Sequence, residues 1–252
     1  MPALSISFGF DRPTADPSVT LPQRAVAWVV HLFTLSGIAW AALATISLIN
    51  GDIAAMWAWL GVALVVDGVD GTLARRARVG EAVPWFDGSV LDIVIDYLTW
   101  TFLPALFMYL YLPLGPTPVA LTMFVLILAS SIFCYANAGE KSVDNYFVGF
   151  PAAWNVVAVI MYVLQTSGTV NIVMTIAMAA LTLVPLHYTH PMRCSRFRSV
   201  TLVAVVAWIA STGVLVALVP AQPLWALVVF WVSGGWFVAT CLIRSFTGPV
   251  KA

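Results

Sequence analysis

Residues 67–96 read DGVDGTLARRARVGEAVPWFDGSVLDIVID, with Asp67 and Asp70 at one end of the stretch and Asp92 and Asp96 at the other. These four carboxylates stand in a chain that is 62% hydrophobic and only 9% charged. On a helix, Asp67, Asp70, Gly71 and Ala74 fall at i, i+3, i+4 and i+7, which is one face. Gly88, Asp92 and Asp96 share a second face at i, i+4 and i+8. The spacing predicts two helices that meet with two carboxylates each and small residues between them. An ionised carboxylate inside a membrane span costs about 2.5–3.5 kcal/mol on insertion scales. Four on facing surfaces repel unless cations sit between them. Oxygen ligands without a neighbouring Cys or His cluster favour Mg²⁺, Mn²⁺ or Ca²⁺ over zinc. The pattern predicts a metal site.

The surrounding composition makes this an all-α integral membrane protein. Mean hydropathy is +0.97 over 252 residues, and 11 Trp and 14 Phe contribute to it. Formal net charge is zero, so global charge points to no nucleic-acid partner. Cys134, Cys194 and Cys241 are scattered, fit no metal-ligand spacing and read as reduced structural residues. The opening stretch MPALSISFGFDRPTADPSVT has neither a basic n-region nor a continuous apolar core, so it reads as a polar tail and not a signal peptide.

Apolar runs long enough to cross a bilayer are expected at about 25–49, 53–75, 88–112, 117–138, 151–167, 170–188, 199–219 and 223–243. That makes about eight transmembrane helices. Four connections, including LPLGPTP and VPAQP, carry no Lys or Arg, whereas ARRARVGE, AGEKSVDN and HPMRCSRFRS hold the charges. An even count puts both termini and every Lys and Arg on one side, which the positive-inside rule makes cytoplasmic. The domain expectation is a polar cytoplasmic segment over 1–24, a single transmembrane catalytic domain over 25–243 and a cytoplasmic tail over 244–252. Both carboxylate pairs then lie just inside the membrane at its cytoplasmic face. The last two spans carry no intramembrane charge and read as peripheral packing or an oligomer surface.

The spaced residues Asp67, Asp70-Gly71, Ala74-Arg75, Gly88, Asp92 and Asp96 resemble the signature of the CDP-alcohol phosphotransferases. The twelve residues from Arg76 to Asp87 make a longer gap than the common family pattern has. With Gly68 and the stretch KSVDNYFVGFPAAWN at 141–155, that gap is similar to the bacterial phosphatidylcholine synthases. The resemblance implies a six-helix CDP-alcohol phosphotransferase core plus two further helices, in a bacterial inner (cytoplasmic) membrane, with homodimers common. It implies that CDP-diacylglycerol and choline give phosphatidylcholine and CMP, with Mn²⁺ or Mg²⁺ as cofactor and two ions bound. Carried over, Asp67, Asp70 and Asp92 are metal ligands, and Asp96 is a ligand, the general base or both. Gly71, Ala74 and Gly88 line the nucleotide site. Small residues there allow close approach to the helix backbone.

Other residues keep two readings. Arg75 either contacts a phosphate or anchors the span end, and the anchor reading is favoured for Arg76 and Arg78. His31 and Thr34 either support the nucleotide or glue helices together. The His187, His190, Arg193, Arg196 and Arg198 group binds anionic headgroups or attracts the CDP-lipid. Choline carries no N–H, so aromatic faces and a carboxylate are expected around it. Glu140, Asp144, Tyr146 and Trp154 are the expected choline group, with Trp85, Tyr97 and Trp100 flanking the third-span carboxylates and belt packing as their bland role. Rival readings change the acceptor to serine, glycerol phosphate or inositol phosphate, or change the class to a membrane prenyltransferase or an ion-coupled transporter. The acidic, aromatic fourth loop favours choline. An inverted repeat, which a transporter would carry, is not visible.

Overall fold

A computed structural model describes residues 16–137, 142, 146–190 and 197–248. Helix α1 (Leu21–Ile49) starts four residues earlier than expected, because Thr20 and Gln23 form a reciprocal cap and Pro22 occupies the first turn. Gly51, at φ +75°, turns the chain, and Asp52 caps α2 (Ile53–Arg76) by accepting from the Ala55 amide at 3.0 Å. Arg78, in the left-handed region, leads into the single turn α3 (Val79–Ala82). Asp87 then caps α4 (Gly88–Asp96), accepting from the Ser89 amide at 2.9 Å and the Val90 amide at 3.3 Å. The Ser89 hydroxyl, donating at 2.6 Å, and these two amides hold the Asp87 carboxyl below its ordinary pKa.

Beyond Asp96 the helix widens into a π turn over Tyr97–Phe102 and continues as α5 (Leu103–Tyr111). Pro104 explains the widening. It has no N–H to give the preceding turn and crowds the carbonyl four residues back, and a π turn relieves both. The chain continues through α6 (Thr117–Ala136), α7 (Trp154–Val163), α8 (Gly168–Leu181), α9 (Arg198–Leu218) and α10 (Leu224–Thr247).

Among the described residues, six helical stretches are long and apolar enough to cross a membrane: α1, α2, Gly88–Tyr111, α6, α9 and α10. The expected fifth and sixth spans appear as the shorter apolar helices α7 and α8. Ten residues of α7 rise only about 15 Å, half of a bilayer's hydrocarbon thickness. Backbone geometry shortens both. Pro151 and the positive φ of Ala152 hold back the start of α7 until Trp154. At the far end of α8 the chain leaves the helix and pairs antiparallel with the segment before α7, Phe147 opposite Tyr188 and Val148 opposite His187. Gly149 makes this crossing possible: its φ is +86°, and a Cβ there would lie 2.5 Å from the Thr182 carbonyl oxygen.

Helix α1 pairs extensively with α2, and α9 with α10, while α5 packs on α6 and α7. The main core gathers Trp57, Phe107, Trp154, Leu215 and Phe230. A second, smaller core seats α3 on α1 through Val79, Ala82 and Val83 against Ala27 and Val30. Outward-facing residues such as Val203 and Val232 are exposed, as lipid contact requires. The last helix does more than pack at the periphery. It continues past 243 to Thr247, buries Arg244 with its guanidinium 5.5 Å from the Tyr146 ring centre, and accepts at the Ser245 hydroxyl oxygen from the His187 amide at 3.0 Å. Among the described residues, Cys134 and Cys241 are not joined to one another by a disulfide.

The approach of α1 to α4 depends on Gly37, where a Cβ would lie 2.5 Å from Cγ2 of Ile95. Gly37→Ala is expected to destabilise the protein by about 1–3 kcal/mol through overpacking. Ile95→Ala in the same chain should recover part of that loss, read as thermal midpoints in detergent. Additive losses in the double variant would remove the contact as the cause.

Candidate active site

The end of α2 and the start of α4 are antiparallel neighbours beside α1, so their carboxylates converge. Oxygens of Asp67, Asp70 and Asp92 all lie within 4.8 Å of one another. Asp70 is buried, while Asp67 and Asp92 are half-buried. Asp96, one turn beyond Asp92, lies within hydrogen-bonding reach of Asp67 and electrostatic reach of Asp92 and Asp70. No His or Cys belongs to the three-carboxylate cluster. A compact set of hard oxygen donors that repel one another fits a divalent cation of the Mg²⁺ and Mn²⁺ class.

A cavity of about 660 Å³ opens beside the cluster, between α1, α2, α3 and α4. Asp70 and Asp92 form one wall of it; Asp67 and Asp96 do not line it. Thr34, Gly71, Ala74, Arg75 and Gly88, separated by up to 54 positions in the chain, all line this one space. The segment from Arg76 to Asp87 supplies the opposite wall through Val79, Glu81 and Phe86. Arg78 forms an ion pair with Glu81 there, and Arg75 donates to the Thr72 hydroxyl at 3.2 Å. Gly88 has a specific partner: a Cβ would lie 2.7 Å from Cε1 of His31. The imidazole, buried between Trp28 and Phe86, leaves its Nε2 without a hydrogen-bond partner.

Two of the four expected choline residues lie away from this cavity. Tyr146 and Trp154 are fully buried and line no part of the cavity. The Tyr146 ring faces the Arg244 guanidinium, and Trp154 packs edge-on against Phe150 in the main core. Glu140 and Asp144 lie outside the described residues, as do Arg193 and Arg196. His190 stacks on Phe147 at 5.1 Å.

A residue absent from the sequence reading does reach the cluster. Tyr135, near the end of α6, lies within electrostatic reach of Asp96 and Asp67. Its ring meets Tyr97 edge to face at 6.0 Å. The only signal in the sequence is that Tyr135 ends an apolar run on the same side as the aspartates.

The fold and this site define a multi-pass membrane protein with a carboxylate cluster suited to a divalent cation, next to a nucleotide-sized cavity. The chain is 47% identical to a phosphatidylcholine synthase of Pseudomonas aeruginosa, over 90% of this chain and 95% of that protein. It is 36% identical to one from Agrobacterium fabrum over 82% and 86% of the two chains. A Borreliella burgdorferi phosphatidylcholine synthase is 30% identical over 70% and 75%. No protein-family model matches the chain. The chain belongs to the phosphatidylcholine synthase family.

Mn²⁺ titration followed by electron paramagnetic resonance tests the cluster. Asp70→Asn and Asp92→Asn are expected to weaken binding about ten-fold or more, since each removes a charged oxygen ligand. Asp52→Asn, at the other end of α2, should leave binding unchanged. Equal binding by all four proteins would place the ion elsewhere.

Proposed function

We propose that this membrane transferase moves the phosphatidyl group of CDP-diacylglycerol to choline, giving phosphatidylcholine and CMP, and depends on a divalent metal. The observation that carries the reading is the convergence of Asp67, Asp70 and Asp92 beside a cavity walled by Gly71, Ala74 and Gly88, in a chain of this family. Gly71 and Ala74 admit the nucleotide against the α2 backbone. Arg75 donates charge-assisted hydrogen bonds to a phosphate, and Thr34 supports the nucleotide from α1. The four aspartates would hold two Mn²⁺ or Mg²⁺ ions, which supply charge neutralisation at the diphosphate and stabilisation of departing CMP.

The transfer is one displacement. The choline oxygen forms a bond to the phosphorus that carries diacylglycerol, and the phosphoanhydride bond from that phosphorus to CMP breaks. Asp96, at the deep end of the cluster, accepts the hydroxyl proton. The reading includes a bacterial inner-membrane location, with the aspartates and both termini toward the cytoplasm. The asymmetric distribution of Lys and Arg supports that orientation.

CMP release by the purified full chain, with CDP-diacylglycerol and Mn²⁺, tests the proposal when choline, ethanolamine, serine, inositol and glycerol 3-phosphate are offered separately. Release is expected with choline alone and should be abolished by chelator. Asp96→Asn should lower the rate about 10²–10⁴-fold, the usual contribution of a positioned base. Turnover with another alcohol in place of choline would overturn the acceptor assignment and keep the transfer chemistry.

A further inference from the structure

We infer that Tyr97 and Tyr135 form the seat for the quaternary ammonium of the acceptor, on the Asp67 and Asp96 side of the aspartate cluster. The inference deepens the reading above and rests on it. The four aspartates form two layers. Asp70 stands six residues before the end of α2 and Asp92 four residues after the start of α4, so both lie about 6–9 Å inside their helix ends. Asp67 and Asp96 lie deeper, at about 12–14 Å. Only the shallow pair lines the cavity. An in-line displacement sets the attacking oxygen against the leaving group, so a nucleotide in the cavity leaves the deep pair for the acceptor.

The aromatic pair beside that layer is Tyr97, next in the chain after Asp96, and Tyr135, whose ring meets that of Tyr97 and which lies within electrostatic reach of Asp96 and Asp67. Both are half-buried. Their rings are 6.0 Å apart and inclined at 70°, two walls of a corner. The π turn that opens at Tyr97 also carries Thr101, whose hydroxyl donates to the Ala152 carbonyl at 3.4 Å. A quaternary ammonium has no N–H to donate. It is attracted by ring faces within about 6 Å, the more strongly where water is excluded. Choline's hydroxyl is two carbons from its nitrogen, so an ammonium at these rings leaves the hydroxyl beside Asp96. Tyr146 and Trp154 do not compete for this part, one ring facing Arg244 and the other enclosed in the core.

Steady-state CMP release with choline titrated at saturating CDP-diacylglycerol, and the reverse, tests the assignment on the full chain. Tyr135→Ala and Tyr97→Ala are each expected to raise the KM for choline roughly ten-fold, with the KM for CDP-diacylglycerol unchanged. Tyr135→Phe, which keeps the ring face and loses the hydroxyl, should stay within about two-fold of wild type. Tetramethylammonium should compete with choline in the wild type and lose potency in parallel in Tyr135→Ala. If alanine at 135 prevents folding, Tyr135→Leu keeps the apolar volume without a ring and carries the same expectation. An unchanged choline KM in the Tyr97 and Tyr135 variants overturns the inference while the function stands. A wild-type protein that turns over serine or inositol and not choline overturns both, and is told apart because it has no choline KM to shift.

Discussion

The mutual repulsion of four carboxylates at one end of two apolar helices is the constraint from which the rest of this structure follows. Helix α2 gains nothing in apolar burial from Asp67 and Asp70, nor α4 from Asp92 and Asp96. Placing three of their oxygen ligands within 4.8 Å makes the cost larger. A bound cation would offset that cost, and neighbouring packing holds the two helices together regardless. That packing comes from α1. It pairs with α2 along its length and meets α4 at two points without side chains, Gly37 against Ile95 and Gly88 against His31. A methyl group at either point displaces a neighbour and moves one carboxylate pair relative to the other.

The cavity beside the aspartates has the same origin. Glycine and alanine on α2 leave a hollow that larger residues would fill, and α3 folds back to wall it because Val79, Ala82 and Val83 find Ala27 and Val30 on α1. The twelve residues between Arg76 and Asp87 are therefore a structural part of the site. They bring Glu81 and Phe86 to the cavity, pair Arg78 with Glu81 and supply the Asp87 cap that starts α4.

Residues joined by helical periodicity were legible in the sequence, and residues joined only by tertiary packing were not. Asp67, Asp70 and Asp92 come together as their spacing predicts, since i, i+3 and i+4 relations survive in any regular helix. Thr34, Gly71, Ala74, Arg75 and Gly88 line one cavity, a grouping across α1, α2 and α4 that no helical period joins. Among the described residues, hydropathy located six helices of spanning length and two shorter ones, but not the brevity of α7 and α8. Their ends are set by the Phe147–Tyr188 pairing and the backbone conformations at Gly149 and Ala152, which leave no trace in apolar content. Tyr135 was missed because its relation to Asp96 passes through space between α6 and the π turn. Tyr146 and Trp154 stood out because they lie in an aromatic, acidic stretch; the structure buries both away from the cavity, Tyr146 beside Arg244 and Trp154 in the main core.

The two-layer arrangement of the aspartates has a consequence for selectivity between transfer and hydrolysis. Water is a smaller nucleophile than any alcohol and is present at far higher concentration at the membrane surface. An enzyme that attacked its phosphoanhydride from the open cavity would spend the activated lipid on hydrolysis. Here the cavity is lined by Asp70 and Asp92, whereas Asp67 and Asp96 do not line it. An acceptor approaching from the side of Asp67 and Asp96 would meet the phosphorus away from the open cavity, where fewer waters compete with it.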